Sequence, residues 1–223
     1  MKKTLQDKLS DKLVNAFLKG KIIPALPVKF TKKLTEADKF RKFCESKINE
    51  PIIGYKAGGT GIPLLKKLKE KEPFYASIFK RNLLKSGQRV KINKSTFGIE
   101  LEVCYLIKKS FFSTKATVTN KNVAKCIAHM APCIEVVGYR QKKKGIKSFG
   151  DLSSDFGANV KFLIGKKKKF LTTYFKNDPL KVGSALNRQN FKGAYFTGRV
   201  ALSISAACLR KESNSSLITG RSR

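Results

Sequence analysis

The stretch "FGIELEVCYLI", residues 97–107, places two carboxylates inside an otherwise apolar run. In a β-strand, Glu100 and Glu102 share one face, while the apolar residues between them point to the other. The chain of 223 residues contains only 15 Asp and Glu against 48 Lys and Arg. One interpretation is a half-exposed strand with its glutamates on the solvated face. The other is a functional site that uses both carboxylates.

A third carboxylate, Glu135, lies in the apolar run "CIEVV", residues 133–137. Strand alternation puts it on one face with Cys133 and Val137, where an ionised carboxylate is costly without a compensating cation or hydrogen bonds. Three carboxylates that converge from two strands would form an oxygen-rich site, and such a site suits Mg²⁺ or Mn²⁺. Zinc is not predicted, because the only histidine is His129 and the cysteines do not cluster. We interpret His129 as a packed helix residue.

Lys56 stands at the end of a predicted strand in "GYKAGGT", residues 54–60. The glycines that follow would let a ligand approach the backbone. A buried lysine beside a metal can bind a carboxylate or act as an acid or base, whereas the alternative is one ordinary surface lysine among many. The stretch is not a phosphate-binding loop, because it lacks the GK[ST] ending and does not match GxGxxG.

The composition indicates a folded chain of one large domain. Apolar residues make up 41%, which excludes disorder of the whole chain. No transmembrane helix is predicted, because no apolar run is long enough. Asp7 and Asp11 interrupt the basic N-terminus, so we predict an amphipathic helix there rather than a signal peptide. The five cysteines lack CxxC spacing and mostly lie in apolar runs, which predicts free buried thiols and a cytoplasmic location.

The formal net charge of +33 has two interpretations. One is nucleic-acid binding through phosphate contacts, and the other is a solvated, lysine-rich surface. The excess is mostly lysine, which recognises phosphates and bases less specifically than arginine. The densest runs, residues 141–147 and 165–170, fall in predicted turns. The sequence leaves both interpretations open.

Hydrophobic periodicity predicts two N-terminal helices, over residues 1–20 and from a cap at Thr35, followed by a largely β body. This order predicts the α+β class. We expect residues 1–50 to form an N-terminal helical segment and residues 51–223 a β-rich metal-binding domain, as one compact unit. The further predicted elements are strands over residues 52–56, 99–107, 132–140 and 215–220, a strand after a turn within residues 149–165, and helices over residues 63–71, 120–131 and 199–211.

Five motifs follow one another along the chain in the order of one enzyme family. They are "GYKAGGT" (54–60), "PFYASIF" (73–79), "IELEVCYLI" (99–107), "APCIEVVGYR" (131–140) and "SSDFGANVKFLIG" (153–165). With them, the chain resembles the 2-keto-4-pentenoate hydratases, part of the fumarylacetoacetate hydrolase superfamily. The resemblance covers residues 10–165 and continues more weakly to "LRKESNSSLITG", residues 209–220.

The resemblance implies an α+β fold in which N-terminal helices pack on a mixed β-roll that holds a divalent metal. By their places in the motifs, Glu100, Glu102 and Glu135 would bind Mg²⁺ or Mn²⁺, and Lys56 would lie beside the substrate as the catalytic residue. Contacts to the substrate are expected from Thr60, Asp155 and Thr219. The family adds water to a small 2-keto-4-enoic acid through a metal-stabilised enolate. A homo-oligomer is also expected, and no membrane partner.

Other activities of the superfamily, 2-keto acid decarboxylation and acylpyruvate hydrolysis, stay open, because they share the metal site. The chain also departs from the family: Gly138 and Tyr139 replace Asp and Ser of "EIVDSR", and Phe156 replaces Asn of "ADN". Polar groups beside a metal are thereby lost. The short C-terminal segment leaves open whether the strands that close the roll are present. A non-catalytic paralogue with a basic, nucleic-acid-binding surface is therefore the alternative.

Overall fold

A computed structural model describes most of the chain up to Phe170 and short strands beyond it. Of the segments beyond residue 179, only the backbone is described. The helix predicted over residues 199–211, together with Cys208, lies outside the described residues. The described ranges are 3–90, 96–107, 120–142, 146–170, 180–181, 184–186, 189–191, 195–196 and 217–221.

Two helices precede the first strand, as predicted. Helix α1, Leu5–Lys19, begins at a capping box, in which the Thr4 hydroxyl accepts a hydrogen bond from the backbone N–H of Asp7 at 3.1 Å. It ends at Gly20, whose φ of 62° is the left-handed conformation that glycine adopts without cost. Helix α2, Leu34–Glu45, follows.

The prediction that Thr35 caps α2 is wrong. The helix begins one residue earlier, so Thr35 lies inside it, and the residue at the cap position is Lys33 in an extended conformation. No side chain forms a capping hydrogen bond there. Packing of the apolar face of α2 therefore sets its start rather than cap chemistry.

Beyond α2 the chain is dominated by strands. The helices are α3 (Ile62–Leu68), α4 (Asn120–Cys126) and α5 (Phe149–Ser153). The strands are β1 (Ile52–Gly58), β2 (Phe74–Phe79), β3 (Leu83–Leu84), β4 (Thr96–Ile107), β5 (Ile127–Gly138), β6 (Asn159–Ile164), β7 (Lys168–Lys169), β8 (Leu180–Lys181), β9 (Ser184–Leu186), β10 (Gln189–Phe191), β11 (Tyr195–Phe196) and β12 (Leu217–Arg221).

The main sheet is mixed, and its strand order is β2-β1-β12-β4-β5-β6-β3, with β7 beside β5. The late strand β12 lies inside this sheet, parallel to β1 and antiparallel to β4. Short hairpin-like pairs, β9 with β10 and β8 with β11, stand apart from it. With the helices that precede it, the sheet gives the predicted α+β fold.

The sheet curls strongly, because strands far apart in the order come into contact. Five inter-strand spacings separate β2 from β6, which is about 24 Å in a flat sheet. Nevertheless, the Asn159 side-chain amide in β6 donates to the Ser77 carbonyl in β2 at 3.3 Å. The concave face encloses one apolar cluster drawn from four strands: Ile78, Cys104, Ala131, Cys133 and Phe162.

The helical layer packs on the outside of this roll. Phe17 of α1 contacts the rings of Phe79, at a centroid distance of 5.5 Å, and of Phe156, at 4.6 Å. The cluster they form buries the apolar faces of α1 and α2 against the sheet. Its buried members are Leu13, Val14, Phe17, Leu26, Phe40, Cys44, Ile48, Phe79 and Phe156.

The helix predicted over residues 120–131 is only partly correct. Helix α4 ends at Cys126, and the chain continues directly as β5. Residues 127–131 pair with β4, for example His129 opposite Leu106, so sheet pairing overrides the local helical pattern. His129 is consequently an exposed strand residue and not the packed helix residue expected from the sequence.

The thiols of Cys44, Cys104 and Cys133 are free and buried, as predicted, while Cys126 is partly exposed. Burial raises the pKa of Cys44 and of Cys104 to about 12. These thiols therefore stay protonated at neutral pH. No helix in the described part of the chain is long and apolar enough to cross a membrane.

A test of the packing between α5 and the segment that precedes α2 is Gly150→Ala in α5. A Cβ at Gly150 would lie 2.1 Å from the backbone oxygen of Thr31, which cannot turn away as a side chain would. We expect the free energy of unfolding to fall by about 1–3 kcal/mol. The matched control is Gly98→Ala, whose Cβ would meet only Val137 Cγ2, at 3.7 Å. Denaturant unfolding measures both, and equal stabilities would contradict this packing.

Candidate metal centre

The three predicted glutamates meet on the concave side of the roll. Glu100 of β4 and Glu135 of β5 are direct cross-strand neighbours, and Glu102 is two residues further along β4 on the same face. One carboxylate oxygen from each lies within 4.8 Å of the other two. The structure thus brings together residues that are 35 positions apart in the sequence, as the strand alternation predicts.

The surroundings make this cluster costly without positive charge. Glu135 is fully buried and Glu102 is 1% exposed, while Glu100 is partly exposed. Like charges directly opposite each other in a sheet repel, and burial strengthens the repulsion because the local dielectric is low. Among the described residues of the cluster, Glu100 is the one with partial solvent exposure.

Lys56 supplies one positive charge to the cluster. Its Nζ donates to Glu135 Oε1 at 2.6 Å, and its side chain is buried. Burial by itself would lower the pKa of Lys56, but the charges of Glu135 and Glu100 and the hydrogen bond to Glu135 raise the pKa instead. The lysine is therefore positively charged, and it offsets one of the three carboxylates.

The curl of the sheet makes the contact between Lys56 and Glu135. Their strands, β1 and β5, are three spacings apart in the order, about 14 Å in a flat sheet and beyond the reach of a lysine. Sequence reasoning could place Lys56 at the end of a strand. It could not place its ammonium on a particular carboxylate.

The donor set fits a hard divalent cation. Three carboxylates offer oxygen ligands within a small radius, and after Lys56 is counted the cluster retains two negative charges. Sulfur competes poorly here: Cys133, opposite Glu102 in the sheet, has its pKa raised by burial and by the neighbouring acidic groups, so it is not a thiolate. Mg²⁺ and Mn²⁺ match these ligands better than zinc does.

The glycine-rich loop after Lys56 is shaped by aromatic packing. A Cβ at Gly58 would lie 2.4 Å from the Phe74 ring, and one at Gly59 would lie 2.1 Å from the Phe149 ring. Gly59 also has a φ of +72°. Larger residues than glycine would therefore collide with these rings, and approach of a ligand to this backbone stays a prediction. Thr60, the predicted substrate contact, follows them and is buried.

The other two predicted substrate contacts lie in different surroundings. The backbone of Thr219 in β12 is placed between Lys56 of β1 and Cys104 of β4, so it adjoins the lysine. Asp155 is fully buried, and both of its carboxylate oxygens accept hydrogen bonds from the backbone N–H of Arg140, at 3.2 and 2.9 Å. The guanidinium of Arg140 adds an ion pair at 3.3 Å. A substrate-binding role for these residues stays a prediction.

Sequence reasoning missed Arg140 and Arg41 as buried charges. Arg41 is fully buried on α2, where it donates to Glu45 Oε1 at 2.6 Å and lies 4.9 Å from the centre of the Tyr75 ring. The residue type itself could have indicated both contacts. In a chain whose positive charge is mostly lysine, an arginine at an apolar position indicates a planar, multidentate hydrogen-bonding contact.

Comparison with solved structures reveals related folds at low sequence identity. The 4-oxalocrotonate decarboxylase from Pseudomonas putida G7, complexed with magnesium and adipate, superposes with a TM-score of 0.71 at 16% identity, over 96% of this chain and 86% of that one. Its complex with calcium and acetate gives 0.70 at 16% identity, over 96% and 85%. A protein described as HpcE from Mycobacterium smegmatis gives 0.52 at 12% identity, over 82% and 72%.

At 16% identity and below, this likeness shows that the chain shares the fold of these proteins, which agrees with the α+β class predicted from the sequence. No protein-family model and no curated protein sequence matches the chain.

Replacement of the buried glutamates tests metal binding. In Glu102→Gln and in Glu135→Gln, we expect the affinity for Mn²⁺ to fall by more than roughly tenfold, since even the loss of an outer-shell partner costs that much. Isothermal titration calorimetry measures the change, with circular dichroism to verify folding. Glu36→Gln is the matched control, because Glu36 is exposed and pairs only with Lys39. A folded wild type that binds no Mn²⁺ would contradict the site.

Replacement of the buried lysine tests the charge balance. Lys56→Met keeps an unbranched stem but removes the cation from Glu135. Without metal, we expect the free energy of unfolding to fall by about 3–5 kcal/mol, the usual cost of removing one partner of a buried ion pair. Saturating Mg²⁺ should recover much of this loss, because a dication replaces the missing charge.

Urea unfolding with EDTA and with Mg²⁺ measures this recovery. Lys39→Met is the control, since Lys39 forms an exposed pair with Glu36. A loss of the same size with and without Mg²⁺ would show that Lys56 and the cation do not share the carboxylates.

Proposed function

We propose that the chain is a divalent-metal-dependent enzyme that acts on a small 2-keto acid, with hydration of a 2-keto-4-enoic acid as its first candidate reaction. The observation that carries this proposal is the buried cluster of Glu100, Glu102 and Glu135 with Lys56 in contact. Three converging carboxylates destabilise an apolar core, because they repel one another and lose their solvation. The same three groups are suitable ligands for a divalent metal ion.

Glu100, Glu102 and Glu135 would hold Mg²⁺ or Mn²⁺. A bound cation would supply Lewis-acid polarisation of the 2-keto group, which both orients the substrate and stabilises negative charge on its oxygen. The partial exposure of Glu100 leaves one side of the cluster for the substrate to enter. Glu102 and Glu135, being buried, would exclude water from the opposite side.

Lys56 would bind the substrate or move a proton. Its ammonium is held beside the carboxylates of the cluster. From there it can attract a substrate carboxylate, or donate a proton to a substrate carbon that gains electron density. The overall charge of +33 also favours the approach of an anionic substrate.

Two threonines are proposed to assist Lys56. Thr60 follows it by four residues on the buried loop, and Thr219 lies beside it in the sheet. Both residues are proposed as contacts to the substrate carboxylate. For Asp155, the sequence predicts a substrate contact, but its hydrogen bonds with Arg140 favour a supporting role.

Decarboxylation is the second candidate reaction, because the superposed structure with a TM-score of 0.71 is named a decarboxylase. The two reactions share the need to stabilise charge on the 2-keto oxygen. They differ in outcome: hydration adds water across the carbon–carbon double bond and retains every carbon, while decarboxylation releases CO₂.

The test is turnover of 2-keto-4-pentenoate and of a 2-keto-4-enoic dicarboxylate by protein loaded with Mg²⁺ or Mn²⁺. We expect proton NMR to show a 4-hydroxy-2-keto acid for hydration, or the product that has lost a carboxylate for decarboxylation, with CO₂ release measured by a separate assay. Glu102→Gln should abolish turnover, and Glu36→Gln should retain it. Absence of turnover in folded, metal-loaded protein with both substrates would contradict the proposal.

The alternative from the sequence, nucleic-acid binding, would depend on exposed lysines such as those at 166–169. A phosphate binder loses affinity steeply as salt rises, whereas binding of a small acid loses much less. A cytoplasmic location and a homo-oligomeric state belong to the enzyme proposal as expectations.

A further inference from the structure

The turn between α5 and β6 has an unusual backbone. Three successive residues have left-handed φ angles: Phe156 at 51°, Gly157 at 73° and Ala158 at 57°. Non-glycine residues rarely adopt this region, and they persist there only when surrounding contacts hold them. Such strain is commonly found where a segment must be placed accurately.

Buried polar contacts hold the turn on both sides. Asp155 accepts from the backbone N–H of Arg140, and the Arg140 guanidinium donates to the Asp155 carbonyl at 3.2 Å and to the Asn159 carbonyl. The Asn159 side-chain amide donates to the Phe156 carbonyl at 2.5 Å and also reaches β2. Every one of these side chains is buried.

Phe156 ties the same turn to the helical layer. Its ring packs on Phe17 of α1, and the Arg140 guanidinium lies 5.0 Å from the centre of the Phe17 ring. An apolar side chain thus stands where the family has Asn, and it gains its stability from α1.

Gly157, at the centre of the turn, lies against the stem of Lys56. A Cβ at Gly157 would be 3.4 Å from Lys56 Cδ and 2.4 Å from the Cβ of Ala76. Lys56 and Ala76 are cross-strand neighbours in β1 and β2. The backbone of the turn therefore packs against the aliphatic part of the Lys56 side chain and against Ala76, its cross-strand neighbour.

We propose that Arg140, Asp155 and Gly157 are positioning residues for Lys56. The strained turn, clamped by the ion pair, restricts the lysine stem so that Nζ stays on Glu135. Strand β5 carries Glu135, and Arg140 follows two residues after its end, so one strand places both the carboxylate and the clamp. Lysine has large rotamer entropy, which is lost when its ammonium is held in one place. A rigid backbone packed against the side chain limits the rotamers of Lys56 in advance and so reduces this entropic cost.

The importance of the Lys56 position for catalysis rests on the proposed function. The contacts that hold Lys56 do not depend on that function. Reaction of the Lys56 amine with an acylating reagent requires Nζ to leave Glu135 and reach solvent. The rate of labelling, followed by peptide mass spectrometry, therefore reports the positioning directly and without any turnover.

The variants are Gly157→Ala, Ala76→Gly and the two combined. We expect Gly157→Ala to accelerate labelling of Lys56 by roughly tenfold, the effect of about 1.4 kcal/mol on local opening. In the combined variant, the Ala76 Cβ is absent, so the new Cβ at position 157 no longer collides with it and the protein is expected to fold. The contact of this Cβ with Lys56 and the left-handed backbone strain at position 157 both remain. The combined variant should therefore still accelerate labelling. Ala76→Gly by itself should not.

Gly87→Ala is the matched control. Gly87 also has a positive φ, of +80°, but a Cβ there would meet nothing within 4 Å. Lys161, which is partly buried and donates to the Arg81 carbonyl at 2.7 Å, is the internal control for general loosening. Its labelling should stay unchanged in every variant.

Two results would overturn the positioning role. One is labelling of Lys56 at the wild-type rate in the folded combined variant. The other is acceleration of Lys56 and Lys161 by the same factor, which indicates general destabilisation. Accelerated labelling of Lys56 in a protein that turns over neither substrate would leave the positioning role intact and contradict only the proposed function.

Discussion

The hydrogen bond between Lys56 and Glu135 is the contact on which the organisation of this protein depends. It joins β1 to β5 across a sheet that would hold them about 14 Å apart if it were flat. Curling of the sheet brings the ends of the strand order together and encloses the carboxylates. Two of the three acids are buried, and a cation in contact relieves the repulsion among them, so the curl of the fold and the charge of the site are coupled.

The helical layer contributes to this site indirectly. α1 and α2 bury their apolar faces on the outside of the roll, and Phe17 reaches Phe156 at the strained turn. From there the backbone of Gly157 touches the stem of Lys56. The N-terminal segment, which contributes no carboxylate to the cluster, is thereby connected to its lysine through two contacts and the peptide bond between Phe156 and Gly157.

The departures from the family motif gain a physical interpretation. Phe156 replaces a polar residue, but it packs against α1 rather than facing the carboxylates. Tyr139 is partly buried against the cluster of Phe74 and Phe149, and burial together with nearby acids raises its pKa to about 12. Both substitutions exchange polar contacts for apolar packing, and the three glutamates remain. Compared with the motif that it resembles, the chain therefore keeps the three carboxylates and changes residues beside them.

The sequence by itself determined the class of the fold, the C-terminal end of α1 at Gly20 and the presence of the carboxylates on one sheet face. These features depend on local periodicity and on charges that are rare in a chain of net charge +33. It failed at residues 127–131, where pairing with β4 outweighs helix propensity. Only the tertiary structure decided that Lys56 meets Glu135 and that Arg140 clamps Asp155. Both contacts depend on the curl of the sheet and on the turn beside it, which no local pattern of residues encodes.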